Sequence, residues 1–128
     1  MTRNDPHSAT STGELEALRR KLAAFAAARD WDQFHAPKNL AMALIAECAE
    51  LVEHFQWLSE KQSAALTPEK KAQVRLELAD ILIYLVRIAD KLDIDLLDAA
   101  RDKIAINEQR YPADEVRGDA RRASEYEL

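Results

Sequence analysis

The stretch LAMALIAECAELV at positions 40–52 carries two charged residues, Glu47 and Glu50, three apart in an otherwise apolar run. A second stretch, LELADILIYLV at positions 76–86, repeats the arrangement with Glu77 and Asp80. A helix that is apolar nearly all round is a buried helix, and a carboxylate inside one is costly unless something cationic meets it. Residues three apart share a helical face, so each pair can aim its oxygens at one spot. Four carboxylates converging from two packed helices make a hard-oxygen cage of the kind Mg²⁺ takes, and Mg²⁺ commonly shares its shell with substrate phosphates. The two stretches predict an all-α fold built round a metal site, with phosphate chemistry at that site.

Outward from these stretches, helical spacing of Leu15, Leu18, Leu22, Phe25 and Ala26 predicts a first helix from about Gly13 to Arg29. The segment DWDQFHAP at 30–37 breaks it with an aromatic-rich loop, and Pro37 suits the first turn of a second helix running to about Ser59. Residues 60–66 read as a polar connector. Thr67-Pro68-Glu69 is an N-cap followed by proline, which restarts the chain as a third helix to about Leu92. Asp95 and Asp98 resemble an N-cap with an acidic third position, opening a fourth helix that Tyr111-Pro112 stops after Arg110. Residues 1–12 are polar without periodicity and read as a disordered lead-in. The domain proper is expected over 13–112, and 113–128 as a charged, irregular tail.

Composition narrows the class. A chain of 128 residues fits one domain, and two glycines with four prolines leave little material for the turns of a strand-rich fold. A net charge of −5 argues against binding nucleic-acid polymers or an anionic membrane. It does not argue against a single nucleotide, whose charge a metal and a few local cations can meet. No uncharged run exceeds eight residues, so neither a membrane span nor a signal-peptide core is expected. The lone Cys48 sits mid-helix as a small core residue, which points to a reducing, cytoplasmic setting.

At about 100° per residue, Asn39, Ala43, Glu47, Glu50, His54 and Trp57 fall in one helical sector roughly 80° wide. The same arithmetic gathers Gln73, Glu77, Asp80, Tyr84 and Arg87 on the third helix. Each carboxylate pair is thus followed by an aromatic, and base–aromatic stacking is worth ~1–3 kcal/mol per base. Metal cage and aromatic walls together fit a phosphorylated ligand with a flat base. A lone E-x-x-E in a chain with 32% charged residues would be read as a solvated face. Two pairs in apolar runs, each followed by an aromatic, favour a site. A di-iron bundle would need Glu-x-x-His, yet Leu51 precedes His54 by three and Asp32 precedes His35. Trp31 and Trp57 are core, interface or pocket aromatics, and the carboxylate face favours the pocket for Trp57. His35 either caps the second helix or faces the ligand; His54 is read as structural.

E-x-x-E, then 26 residues, then E-x-x-D resembles the MazG-like all-α nucleoside triphosphate pyrophosphohydrolases. The likeness extends to RDWDQFHAPKNL, to EHFQW, to LADILIYLVRIAD and to K-x-x-x-N-x-x-R-Y-P at Lys103–Pro112. Together these are similar to the dCTP pyrophosphatase branch over roughly 14–112. The carboxylate motif alone marks the superfamily, while W-x-x-F-H-x-P-x-N with Q-W and R-Y-P is far more specific. The resemblance implies Mg²⁺-dependent hydrolysis of a (deoxy)nucleoside triphosphate to the monophosphate and pyrophosphate. By the same resemblance, Glu47, Glu50, Glu77 and Asp80 are the catalytic, metal-holding carboxylates. Trp31, His35, Trp57 and Tyr84 line the nucleotide pocket, and Lys103, Asn107 and Arg110 meet the phosphates. For Arg110 the bare sequence would favour a helix-dipole role. One position departs from the animal pattern: Leu22 stands where that branch carries a pocket histidine, which bears on base preference and leaves the chemistry untouched.

The expected architecture is a four-helix bundle that assembles as a homo-oligomer, because the second and third helices are too apolar for two other helices to cover. The resemblance implies a tetramer built as a dimer of dimers. Catalysis would use metal-bridged phosphates, an activated water, and cations stabilising the leaving pyrophosphate, with one glutamate as general base. A dUTP- or phosphoribosyl-ATP-directed enzyme is the alternative within the superfamily, and a non-catalytic helical interaction module the alternative outside it. The intact carboxylate quartet speaks against the last.

Overall fold

A computed structural model describes residues 6–125, with 6–12 and 123 as backbone only. The described residues form six α-helices and no strand: α1 (Pro6–Ala28), α2 (Pro37–Glu53), α3 (Glu60–Ser63), α4 (Pro68–Lys91), α5 (Leu96–Arg110) and α6 (Ala113–Val116). Single 3₁₀ turns sit at Asp32–Phe34 and Ala123–Glu125. The all-α expectation holds. The count of four rises to six because two short helices form where a connector and a tail were expected.

The chain falls into two compact units, the first running to Ile94 and the second starting at Asp95. In the first, α4 is the spine, with α2 packed along it and α1 beside it. Its buried apolar residues are Ala26, Leu40, Val74, Val86 and Ala89, of which Leu40 at 2% exposure is the largest one sealed off. The spine begins where the sequence places it. Thr67 Oγ1 accepts the Lys70 N–H at 3.2 Å and Pro68 occupies the first turn, a cap worth about 1 kcal/mol.

Both α1 and α4 end on an aspartate in the left-handed region, Asp30 (φ 53°) and Asp93 (φ 55°). At the first, the Trp31 N–H reaches back to Ala26 O at 2.9 Å and the Asp30 N–H to Ala27 O at 3.1 Å. At the second, the Ile94 N–H reaches Ala89 O at 2.8 Å and the Asp93 N–H reaches Asp90 O at 3.2 Å. This paired 6→1 and 5→2 bonding satisfies carbonyls that a bare helix end leaves open. The hydrophobic partner that accompanies it is present after α1, where the Trp31 and Phe25 rings meet edge-on with centroids 5.6 Å apart.

Two helix boundaries differ from the expectation. Helix α2 stops at Glu53, not near Ser59: the His54 N–H turns to Leu51 O, and Phe55 and Gln56 share Val52 O at 2.9 and 2.8 Å. The ladder tightens into turns there, and Ser59 then opens α3 with a reciprocal capping box to Gln62. Helix α1 begins at Pro6, not near Gly13, since one glycine costs a helix only about 1 kcal/mol and proline suits a first turn. The remainder of the expected lead-in, 1–5, lies outside the described residues, as do 126–128 of the expected tail, whose earlier part contains α6.

In the second unit, α5 opens on Asp95, whose Oδ1 accepts the N–H groups of Leu97 and Asp98 at 3.0 and 3.1 Å. It ends at Arg110, as expected. Within one chain α2 and α4 are not the buried helices their composition suggests. Met42, Ile45 and Val52 on α2 and Leu76, Leu78 and Leu82 on α4 remain exposed, Ile45 at 67%. Among the described residues no helix is long and apolar enough to cross a membrane.

Candidate metal centre

The packing of α2 on α4 brings one carboxylate oxygen each from Glu47, Glu77 and Asp80 within 4.8 Å of one another, all three side chains half-buried. Glu47 Oε2 and Glu77 Oε2 are buried and, among the described residues, meet no hydrogen-bond partner. An acceptor left so costs about 1–3 kcal/mol, and more when ionised. Three negative groups at this separation also repel one another. Burial above all, then a hydrogen bond with Glu50 and its charge, then Asp80 and Glu77, push the Glu47 carboxyl up to about 7. Orphaned acceptors and a raised carboxyl both disappear when a cation sits among the oxygens, so the donor set fits a divalent metal. Glu50, expected as the fourth ligand, stays exposed one turn further along α2 and outside the three-oxygen cluster.

Behind Glu77 stands His54, read from the sequence as structural, together with Lys70. His54, just past the end of α2, places Nε2 3.6 Å from Glu77 Oε1, while its Nδ1 lies 3.3 Å from Lys70 Nζ. An ammonium only donates, so Nδ1 accepts and the ring turns an Nε2–H towards the carboxylate. Such outer partners orient ligand side chains. The signal was present, since His54 shares the helical sector of Glu47 and Glu50.

Tyr84 is half-buried on α4, one turn beyond Asp80. Trp57 is not on a helix at all: with α2 ended at Glu53 it occupies the following turn, 87% exposed. Its place on the carboxylate helical face, derived from continuous helix geometry, is therefore withdrawn.

The loop between α1 and α2 is cross-linked. Gln33 Nε2 donates to Asp30 O at 3.1 Å and to its Oδ2 at 3.0 Å, and Asn39 Nδ2 donates to Phe34 O at 3.1 Å. The N-cap of α2 is Ala36 with no side-chain cap, so His35 does not cap the helix. Its Nδ1 instead faces the Arg87 guanidinium, 3.2 Å from Nη2. The same Nη2 donates to Asp32 Oδ1 at 2.9 Å, where Lys91 Nζ also arrives at 2.9 Å. The Lys91 hydrogen bond first, then that of Arg87, hold the Asp32 carboxyl below its ordinary range against a smaller opposing effect of burial than that of Lys91. Arg87 fell on the Glu77–Asp80 sector in the sequence, but two of its partners, Asp32 and His35, lie 55 and 52 positions away.

Lys103, Asn107 and Arg110 share α5 in the second unit. Lys103 is exposed, Asn107 accepts the Tyr111 N–H on its carbonyl at 2.8 Å, and the Arg110 guanidinium carbon lies 5.8 Å from the Tyr111 ring centre. A hollow of about 450 Å³ opens beside Lys70, walled largely by Leu58, Ala65 and Leu66. It is apolar and contains none of the carboxylates.

The MazG-like family model matches residues 43–125. The chain is 45% identical over 121 residues to dCTP pyrophosphatase 1 of Bos taurus, covering 93% of this chain and 72% of that protein. It is 47% identical over 108 residues to dCTP pyrophosphatase 1 of Mus musculus, covering 83% of this chain and 64% of that one. Among solved structures it is similar to a pyrophosphatase from Archaeoglobus fulgidus, at 38% identity and a TM-score of 0.74, over 77% of this chain and 93% of that one.

Proposed function

Because the chain belongs to the MazG-like family, we propose that it hydrolyses dCTP, or a 5-substituted deoxycytidine triphosphate, to the monophosphate and pyrophosphate. The observation that carries this is the cluster of Glu47, Glu77 and Asp80, with two buried oxygens that lack partners, in a chain 45% identical to a dCTP pyrophosphatase.

Glu47, Glu77 and Asp80 would hold the cation, which we assign as Mg²⁺ from the all-oxygen donor set. When bound, it supplies charge neutralisation at phosphate oxygens and a more acidic water. His54, with Nε2 3.6 Å from Glu77 Oε1, would steady that carboxylate from behind. Glu50, exposed one turn along α2 from Glu47, is free to serve the cation or to accept the proton of the attacking water. Trp31, His35, Trp57 and Tyr84 supply the surfaces for base and sugar. Lys103, Asn107 and Arg110 supply cationic and amide donors for the phosphates.

Products decide the reaction class. Turnover of dCTP with Mg²⁺ is expected to give dCMP and pyrophosphate by anion-exchange chromatography. The two glycines of the chain cannot build a phosphate-cradling loop of the P-loop kind, so γ-phosphate cleavage is not expected. A diphosphate and orthophosphate as main products would overturn the assignment.

The exposed apolar residues of α2 and α4 support assembly of identical chains, and a tetramer is the form we propose. Light scattering after size exclusion should then report about four times 14.5 kDa. A monomer at assay concentration would remove this part of the reading.

A further inference from the structure

Arg87 is a charged side chain only 4% exposed, on the α4 spine. Its guanidinium meets three groups at once. Nη2 donates to Asp32 Oδ1 at 2.9 Å, Nη1 to Asp90 Oδ2 at 3.3 Å, and Nε and Nη2 lie 3.4 and 3.2 Å from His35 Nδ1. The cluster is tied further. Arg19 of α1 donates to the other oxygen of Asp90 at 2.9 Å, and Lys91 reaches Asp32. A buried cation that lacked such partners would be strongly destabilising. Here two carboxylates and an imidazole surround it, and two of the three come from the segment at 32–35.

The chemistry of the contact fixes the state of the ring. A guanidinium has five donors and no acceptor, so His35 Nδ1 accepts and carries no proton. The ring is then neutral with its hydrogen on Nε2. Burial, and then the Arg87 charge, lower the His35 pKa, in keeping with that geometry. Trp31 leans on the same ring, with centroids 6.3 Å apart.

We propose that Arg87 is the positioning residue of the nucleotide pocket: it pins the 31–35 segment to α4 and holds His35 as the Nε2–H tautomer, so that the imidazole offers one fixed donor to an acceptor atom of the base or sugar. This rests on the reading that Trp31 and His35 line the pocket. The contacts of Arg87 go to Asp32, His35 and Asp90 and not to the carboxylates of the metal cluster, so Arg87 acts on binding and not on the chemical step. Lysine cannot replace it, because one ammonium cannot span Asp32, Asp90 and His35 together.

The test uses the full chain with dCTP and Mg²⁺, in the Arg87→Lys, Arg87→Met and His35→Gln variants and the Arg87→Met/His35→Gln double variant. Long-range ¹H–¹⁵N correlation of the ring nitrogens reads the tautomer directly, and with three histidines in the chain the His35→Gln spectrum assigns the signals. At neutral pH the wild type should show the Nε2–H pattern for His35, and Arg87→Lys should show an averaged one. KM for dCTP should rise about 10-fold in each single variant, the loss of one well-placed hydrogen bond. Turnover should stay within about threefold, and the double variant should be no worse than the weaker-binding single. Arg87→Lys folds more readily than Arg87→Met, and it carries the test alone if the latter does not fold. A tautomer unchanged in Arg87→Lys overturns the proposal. So does a fall in thermal midpoint with KM unchanged, or KM effects that multiply in the double variant. A tautomer that depends on Arg87, alongside a His35→Gln KM equal to wild type, overturns instead the pocket assignment beneath it.

Discussion

Glu77→Gln and Asp80→Asn should each lower kcat/KM by on the order of 100-fold or more, since even partners behind a metal ligand are worth 10–100-fold. An amide keeps the volume of the carboxylate and removes the charge that holds the cation. The same variants should be at least as thermally stable as the wild type when no metal is added. Glu77 Oε2 is buried without a partner, and Glu77 stands among like charges from Glu47 and Asp80. Removing one negative charge relieves that repulsion. The pair of measurements is discriminating: a carboxylate that served only the fold would lose stability and keep activity. Near-normal turnover at saturating Mg²⁺ in either variant would remove the metal centre from the mechanism.

Trp57→Ala should raise KM for dCTP by about 5- to 150-fold, equivalent to roughly 1–3 kcal/mol of lost base stacking. An indole 87% exposed in the turn after α2 does little for the stability of its own chain, so helix content should be unchanged by circular dichroism. Two kinds of partner could cover it, a nucleotide base or a second copy of the chain. The proposal commits to the base, and the oligomer should survive the substitution. An unchanged KM with a dissociated oligomer would make Trp57 an interface residue.

Local signals were legible where they were chemical. Thr67 before Pro68 and Asp95 before Leu96 each marked a helix start, because an N-cap is a contact between neighbours in the chain. The two carboxylate pairs foretold a cage of four, of which Glu47, Glu77 and Asp80 come together; spacing by three offers a shared face, and packing decides which members meet. The end of α2 was less legible. The apolar pattern continues through Phe55 and Leu58 with no glycine or proline, and periodicity alone extends the helix. Ser59-x-x-Gln62 was the available signal, a capping box that announces a new helix. The Arg87 cluster was out of reach for a different reason. Its contacts to Asp32 and His35 span 55 and 52 positions, and such pairings exist only once α4 has met the loop. Glu50 shows the opposite limit: sequence makes it the twin of Glu47, while its exposure is decided by which flank of α2 meets α4.

The left-handed aspartate that closes α1 has a further consequence, for the thermodynamics of ligand capture. Asp30 and the backbone bonds to Ala26 and Ala27 fix the direction in which the chain leaves the helix, and the Trp31–Phe25 contact fixes the first side chain after it. The segment is thus set by its own helix on one side and by α4 on the other. Its backbone entropy is given up during folding, when α1 docks, and little is left to lose when a nucleotide arrives. A loop free until ligand arrived would spend part of the contact energy on its own ordering. Here that energy goes into affinity, and the entropic cost of a shaped pocket falls on the stability of the apo protein.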